Sequence, residues 1–230
     1  MEVLYEDNHI IVVNKAVGEI VQGDKTGDVP LSEIVKDWIK QKYHKPGNVF
    51  LGVVHRLDRP VSGVVVFAKT SKALPRLNKL FAGHDQVRKT YWAITANVPE
   101  QAEGRLTHWL TRNEKTNTAR AYDREVPGSK KAVLDYRVLA HSERYHLLEV
   151  RLLTGRHHQI RCQLAKIGCP IKGDLKYGAK RSNPDGGISL HARELMMEHP
   201  VSHQEIRVVA DVPKGSMFEH FDIEEQGIGV

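Results

Sequence analysis

Three charged residues interrupt an apolar run in the stretch Val54-His55-Arg56-Leu57-Asp58-Arg59-Pro60-Val61-Ser62-Gly63-Val64-Val65-Val66-Phe67. A carboxylate framed by Arg56 and Arg59 has its charge compensated and its side chain held. That suits a nucleophile or a general base. The competing reading is a surface turn with a local ion pair.

A second cluster is Thr154-Gly155-Arg156-His157-His158-Gln159-Ile160-Arg161. It leaves a strand, crosses a glycine turn and enters a helix. Backbone N–H groups at a helix start favour anions, and two arginines add positive charge. A phosphate or carboxylate partner fits, and so does a capped surface helix with solvated arginines. A third cluster is Arg88-Lys89-Thr90-Tyr91-Trp92. In a strand Lys89 and Tyr91 share one face, and Tyr91 is either a core aromatic or an active-site phenol.

Other chemistries lack their parts. No set of acidic residues converges as two-metal phosphoryl hydrolysis requires. Walker, GxGxxG and Gly-x-Ser-x-Gly motifs are absent. Histidines are many, but only the adjacent His157-His158 and the scattered His199 and His203 come near ligand spacing, so no metal is expected. Cys162 and Cys169 lie in an otherwise helical stretch, which argues against a disulfide scaffold.

The chain has 230 residues, 40% hydrophobic and 27% charged, an ordinary globular composition. The net charge of +6, with a pI near 9.2, becomes more positive when the acidic segment Glu219 to Glu225 is set aside. A basic body fits a polyanionic partner, nucleic acid above all. No apolar run is long enough to span a bilayer, so no membrane association is expected. The start, Met1-Glu2-Val3-Leu4-Tyr5-Glu6-Asp7, lacks the features of a signal peptide, and a cytoplasmic location is expected.

The elements that must position these clusters follow from the hydrophobic spacing. Val3–Tyr5 and Ile10–Val13 read as two short strands. Leu31 to Lys40 has helical spacing. The stretch around Asp58 reads as strand, turn, strand. Ser71 is placed to cap a helix through Phe81, which Gly83 ends. Strand composition marks 88–98, and two or three short strands with an exposed loop fill 103–134. An antiparallel pair is expected over 132–140 and 145–153, a helix over 157–167 with Gly168 as its stop, and a loop from Pro170 to Gly178. Ile188 to Met197 is a strand or a short helix, 206–210 is a last strand, and Phe218 and Phe221 suggest a terminal helix packing back. There is no βαβ rhythm, no repeat and no linker, so the chain reads as one α+β domain over 1–230.

The motifs carry a resemblance. His55-Arg56-Leu57-Asp58-Arg59-Pro60-Val61-Ser62-Gly63 resembles the HRLDxxTSG signature of the RluA-type RNA pseudouridine synthases. Thr154 to Arg161, with Leu164-Ala165, Gly168-Cys169-Pro170-Ile171, Gly173-Asp174 and Tyr177-Gly178, resembles that family's TGRxHQIRxHLAxxGxPIxGDxxYG block. Lys89-Thr90-Tyr91-Trp92-Ala93 resembles its KxYxA motif, and Leu190-His191-Ala192 and His199-Pro200 its LHA…HP pair. Three positions depart from the pattern: in Lys15-Ala16-Val17-Gly18, which resembles the family's early KPxG, Ala16 stands for proline, and elsewhere Val61 stands for threonine and Gln163 for histidine.

The resemblance implies a pseudouridine synthase catalytic fold: a large mixed, mainly antiparallel sheet flanked by helices, with a central RNA-binding cleft. It implies an isomerase that converts uridine in structured ribosomal or transfer RNA to pseudouridine, without cofactor or metal. The first motif begins within the first twenty residues, which suggests a short member without an S4-like RNA-binding module, acting as a monomer. Asp58 would be the nucleophile or base, Arg156 its ion-pair partner, and Tyr91 would lie against the base. Ile160 would wall the uracil pocket, and Arg56 would fill the gap left by a flipped nucleotide. Further RNA contacts are expected from His55, Arg59, Lys15, Gln159, Arg161, Lys172 and Lys176. Two rival classes remain: a non-catalytic RNA-binding protein, and a glycoside or nucleoside hydrolase whose second carboxylate would be Asp174.

Overall fold

A computed structural model of the chain describes residues 1–83, 86–221 and 223. In chain order the elements are β1 (Glu2–Glu6), β2 (Ile10–Lys15), α1 (Leu31–Lys42), β3 (Gly52–Val53), β4 (Ser62–Ala68), α2 (Ala73–Ala82), β5 (Val87–Thr95) and β6 (Glu103–Asn113). They continue with β7 (Thr118–Tyr122), β8 (Lys130–His141), β9 (His146–Leu152), α3 (Gln159–Lys166), β10 (Leu190–Glu198) and β11 (Glu205–Val209). Short 3₁₀ turns cover Leu175–Tyr177 and Met217–His220. Among the described residues no helix is long and apolar enough to cross a membrane.

The chain forms two compact units. One comprises Met1–Thr90, Pro184–Gly187 and His191–Asp211, and the other Tyr91–Asn183, Ile188–Leu190 and Val212–Val230.

In the first unit β2 pairs antiparallel with β1 on one side and β4 on the other, from Ile10↔Ala68 to Lys15↔Gly63. β10 joins β4 in parallel through His191↔Ser62 and Ala192↔Gly63, and β11 pairs antiparallel with β10. All seven residues of β4 are buried, as expected of a strand covered on both faces. Ile10, Val12, Val64 and Val66 pack with Leu77 and Leu80 of α2 and with Leu195 and Met197 of β10. Each such side chain contributes roughly 1.5–3 kcal/mol on burial. Gly63 has φ +116°, and a Cβ there would lie 2.3 Å from the Ala192 carbonyl oxygen. The close approach of β10 therefore needs glycine at this position.

The second unit carries the strand order β5-β9-β8-β6-β7. β6, β7, β8 and β9 pair antiparallel, with Leu134↔Leu152 and Leu106↔Leu134 as representative partners. α3 packs Cys162 against Leu110, Ala121 and Ala132. Phe218 and Phe221 pack on Ile94 and Leu147.

The α+β class and the mixed, mainly antiparallel pairing match the expectation. Four local readings need correction. The run before Asp58 is not a strand beyond Val53: from Val54 the chain leaves the ladder, and the His55 ring takes over a backbone position in it. Thr70, not Ser71, caps α2, its hydroxyl accepting from the Ala73 N–H at 3.1 Å. α3 starts at Gln159, because His158 adopts a left-handed conformation with φ 51°. The C-terminal helix is a single 3₁₀ turn. Part of the acidic C-terminal segment, Asp222, Glu224 and Glu225, lies outside the described residues.

Candidate active site

In the first unit the Asp58 loop is gripped from within. Lys15, the last residue of β2, is fully buried. Its ammonium donates to the carbonyls of Val61 at 2.6 Å, Ala16 at 3.0 Å and Arg59 at 3.2 Å. A lysine has three N–H donors, and all three are used on backbone carbonyls, two of them in the Asp58 loop. Burial pulls the Lys15 pKa down to about 8, against the attraction of Glu19 and Asp58. The loop closes with the Val61 N–H on the Asp58 carbonyl at 3.0 Å and the Gly18 N–H on the Arg59 carbonyl at 2.9 Å. Val61 thus acts through its backbone while its side chain is buried. An apolar residue fits there although the family pattern has a hydroxyl.

Ser62 anchors the far end of the loop. Its hydroxyl lies 2.8 Å from His191 Nδ1. His191 Nε2 donates to the Ala210 carbonyl at 3.1 Å, so Nδ1 accepts from Ser62. Burial pushes the His191 pKa down to about 4, so the ring is neutral near pH 7. The LHA motif thereby gains a physical role: its histidine holds the serine of the Asp58 motif.

Four expected RNA contacts in this unit sort differently. Arg56 is exposed. Arg59 is exposed as well, but its guanidinium engages Asp28 at 2.5 Å and Thr26 at 2.9 Å. Lys15 is not an RNA contact, since its ammonium is enclosed. His55 is only partly exposed, and its ring is engaged within the unit. Its Nε2 accepts the Val66 N–H at 3.1 Å, and its ring stacks on Phe81 with centroids 4.7 Å apart. Burial foremost, and then the Lys89 charge, push its pKa down to about 3.

In the second unit the Arg156 turn is held by Gln159. Its Oε1 accepts from the Arg156 N–H at 2.9 Å and the Thr154 hydroxyl at 2.7 Å. Its Nε2 donates to the Val133 carbonyl at 3.0 Å. Arg156 Nε donates to the Lys131 carbonyl at 3.0 Å, which fixes the plane of the guanidinium. The left-handed His158 places its Nδ1 2.8 Å from the Tyr177 hydroxyl, which itself accepts from the Ala119 N–H at 2.7 Å. Ile160 and Tyr91 are buried.

Two expected contacts in this unit are internal struts. Gln159 is buried in the turn it clamps. Arg161 forms a buried two-pronged ion pair with Asp174, at 2.6 and 2.8 Å. A guanidinium fork satisfied in this way is part of the core, not an RNA contact. Asp174, also buried, is tied up in the same pair and is a poor second carboxylate for hydrolysis. Lys172 is half-buried, with its ammonium 2.6 Å from Asn183 Oδ1. Lys176 is exposed and reaches the Asn117 carbonyl at 3.2 Å. Gln163, the third departure, is fully buried and bridges His108 Nδ1 at 3.0 Å to the carbonyls of Leu106 and Ala132, both at 3.3 Å. Its amide fills a structural position between α3 and the strands.

Asp58 and Arg56 therefore belong to the first unit, and Tyr91, Arg156 and Ile160 to the second. Sequence reasoning missed the roles of Lys15, Ser62, His191 and Gln163. The motif positions of Lys15 and His191 were visible, but nothing in a one-dimensional pattern says that they point inward.

Comparison with known proteins agrees with these motifs. Residues 9–166 match the RNA pseudouridylate synthase family. The chain is 33% identical over 231 residues to tRNA pseudouridine synthase C of Pectobacterium carotovorum, covering 91% of this chain and 58% of that protein. It is 33% identical to tRNA pseudouridine synthase C of Vibrio vulnificus, covering 96% of both chains. Ribosomal large subunit pseudouridine synthase D of Vibrio cholerae is 32% identical, with 93% of this chain and 68% of that protein covered. Among solved structures, human RNA pseudouridylate synthase domain containing 4 superposes with a TM-score of 0.77 at 25% identity, covering 93% of this chain and 89% of that one. The chain belongs to the RNA pseudouridylate synthase family and is, by that membership, an isomerase acting on uridine in RNA.

Proposed function

We propose that this protein converts a uridine of a structured transfer or ribosomal RNA to pseudouridine, with Asp58 as the nucleophile or base. The observation that carries the reading is the Asp58 loop. Two of its backbone carbonyls, those of Arg59 and Val61, are fastened to one buried ammonium, and the adjoining serine is fastened to a buried histidine. A carboxylate on so constrained a loop is preorganised, which is what a single catalytic acid requires. The relatives named for transfer and ribosomal RNA support the substrate class.

The reaction breaks the C1′–N1 bond, turns the uracil and rejoins it through C5, with no net oxidation and no hydrolysis. Asp58 serves it by attack on C1′, by attack on C6 or by removing the C2′ proton. Arg156, its turn clamped by Gln159, supplies the reaction with a fixed guanidinium. Tyr91 lies against the base and takes the C5 proton, and Ile160 forms an apolar wall. The uridine must leave its stack, at a cost of a few kcal/mol that is smallest in loops and bulges. Arg56 fills the gap it leaves, and phosphate contacts from the basic surface recover the energy.

Tritium release from RNA carrying 5-tritiated uridine tests this. Asp58→Ala and Asp58→Asn should release none while still binding the RNA. Turnover within about tenfold of wild type, equal to about 1.4 kcal/mol, would remove Asp58 from the chemistry. Free uracil among the products would instead point to hydrolysis.

A further inference from the structure

The sequence around the end of α1, Lys36-Asp37-Trp38-Ile39-Lys40-Gln41-Lys42-Tyr43-His44-Lys45, sets four lysines and two aromatics against one acid. Val35 and Ile39 face the core. Part of the charge complements the negative end of the helix dipole, which accounts for Lys40 and Lys42. It does not account for Lys45, which lies beyond the helix, or for what is done with Tyr43.

Tyr43 is 46% exposed, yet its hydroxyl is fixed, donating to Glu6 Oε1 at 2.9 Å. The same carboxylate takes Lys42 at 2.6 Å and Lys69 at 2.6 Å. Glu6 and Lys69 are nearly enclosed, whereas the Lys42 side chain is 46% exposed. One buried acid on β1 thus orients a tyrosine and a lysine that face outward. The Tyr43 ring centroid has Lys69, Lys42 and Lys45 ammonium groups at 5.1, 5.3 and 6.0 Å. The Lys42 ammonium also lies 4.5 Å from the Trp38 ring. Glu6 and Lys69 offset one another inside, so Lys40, Lys42 and Lys45 are left as excess charge around a rigid, half-exposed ring.

We propose that this patch is a docking surface for a single-stranded segment of RNA. Lys40, Lys42 and Lys45 meet successive phosphates, and a base or ribose packs on Tyr43. An acidic peptide would satisfy the lysines but leave the fixed ring without a matching flat partner. A nucleotide strand offers both an anion and a π-face at every step. The proposal rests on RNA being the substrate, and it adds a contact made by residues outside every family motif.

The test is fluorescence anisotropy of the full chain with a labelled single-stranded oligouridylate and with total transfer RNA, over a series of KCl concentrations. Tyr43→Ala should weaken binding about fivefold or more, the range expected for loss of one stacked base. Lys45→Glu should weaken it about tenfold at low salt, flatten the salt dependence, and converge with wild type at high salt. Lys45 takes no part in the Glu6 network, so misfolding does not explain that loss. Tyr43→Phe, which keeps the ring and frees it from Glu6, should fall between. Binding of both RNAs by Lys45→Glu and Tyr43→Ala within about twofold of wild type at low salt overturns the proposal. Wild-type tritium release on the same RNA is scored separately. Turnover with unchanged variant binding sinks the surface and leaves the isomerase reading. Weakened variant binding without turnover sinks that reading and leaves the surface.

Discussion

The Lys15 ammonium donates to the Val61 carbonyl at 2.6 Å, from inside the unit and not from its surface. That contact ties the end of β2 to the residue three positions after Asp58. A fully buried charge is costly unless hydrogen bonds repay it, and here the Arg59 and Val61 carbonyls of the Asp58 loop do so together with the neighbouring Ala16 carbonyl. The lysine is thus exchanged for order in the loop that carries the carboxylate.

Lys15→Met should therefore remove a donor from three carbonyls, of which that of Arg59 keeps the Gly18 N–H. We expect a loss of roughly 2–4 kcal/mol in urea unfolding and a fall of about tenfold or more in tritium release. RNA affinity should stay near wild type. A large loss of affinity with unchanged turnover would return Lys15 to the role of RNA contact.

The Lys15 pKa also sets a pH limit. It is pulled down from 10.5 to about 8. Between those values the unfolded chain holds a proton that the folded chain lacks, so this group's contribution to stability increases with pH across the window. Activity should go the other way. Above about pH 8 the neutral amine has only two N–H donors for three carbonyls, and the Asp58 loop loosens. Tritium release should decline through one proton loss there, and Lys15→Arg, which does not titrate, should lack that limb. An identical alkaline limb in both proteins would assign it to another group.

His191 governs the acid side. Its pKa drops from 6.5 to about 4 on burial. Because the folded state resists the proton that the unfolded state accepts, its contribution is fully present above about pH 6.5 and is lost as pH falls toward 4. The window is worth on the order of 3 kcal/mol. Ser62→Ala removes the donor to Nδ1 and should make the acid transition less steep. Thermal unfolding of both proteins between pH 4 and 7 measures it, and parallel curves would disprove the coupling.

Much of the fold was legible because periodicity reports burial. The short apolar runs of β1 and β2, the 3.6-residue spacing of α1 and α2, and the uninterrupted apolar β4 each matched an element. The site was legible as a set of motif positions, but not as a set of directions. Arg161, Gln159, Lys15 and His55 are polar residues inside functional motifs, and a sequence pattern assigns them to the ligand by default. The structure turns each inward, because the polar groups and backbone of these tight segments need internal hydrogen-bond partners before they can hold anything else. The two-residue β3 was equally illegible. Its pairing depends on β4 being laid against it, a long-range fact with no local signature.

Gly63 offers a test of the first unit's architecture. With φ +116° and the Ala192 carbonyl oxygen 2.3 Å from where a Cβ would sit, Gly63→Ala forces β10 away from β4. We expect destabilisation of about 3 kcal/mol or more. Gly47→Ala, where a Cβ meets nothing within 4 Å, is the control and should change stability by no more than about 0.5 kcal/mol. Equal melting temperatures for the two variants would show that the strands are not held this closely.

The Arg161–Asp174 pair separates structure from chemistry in the second unit. Both side chains are almost enclosed, at 6% and 2% exposure, and the fork is two-pronged. Removing one partner strands the other charge in a dry interior, at a cost of roughly 3–5 kcal/mol. Asp174→Ala should thus lower the melting temperature sharply and reduce the yield of folded protein. Whatever folds should still form pseudouridine and no free uracil, since Asp174 supports the fold and takes no part in a hydrolytic step. The double variant Arg161→Met with Asp174→Leu, which removes both charges and keeps apolar volume, should recover much of the lost stability. Normal stability of Asp174→Ala together with complete loss of turnover would reverse the assignment and make Asp174 a second catalytic carboxylate.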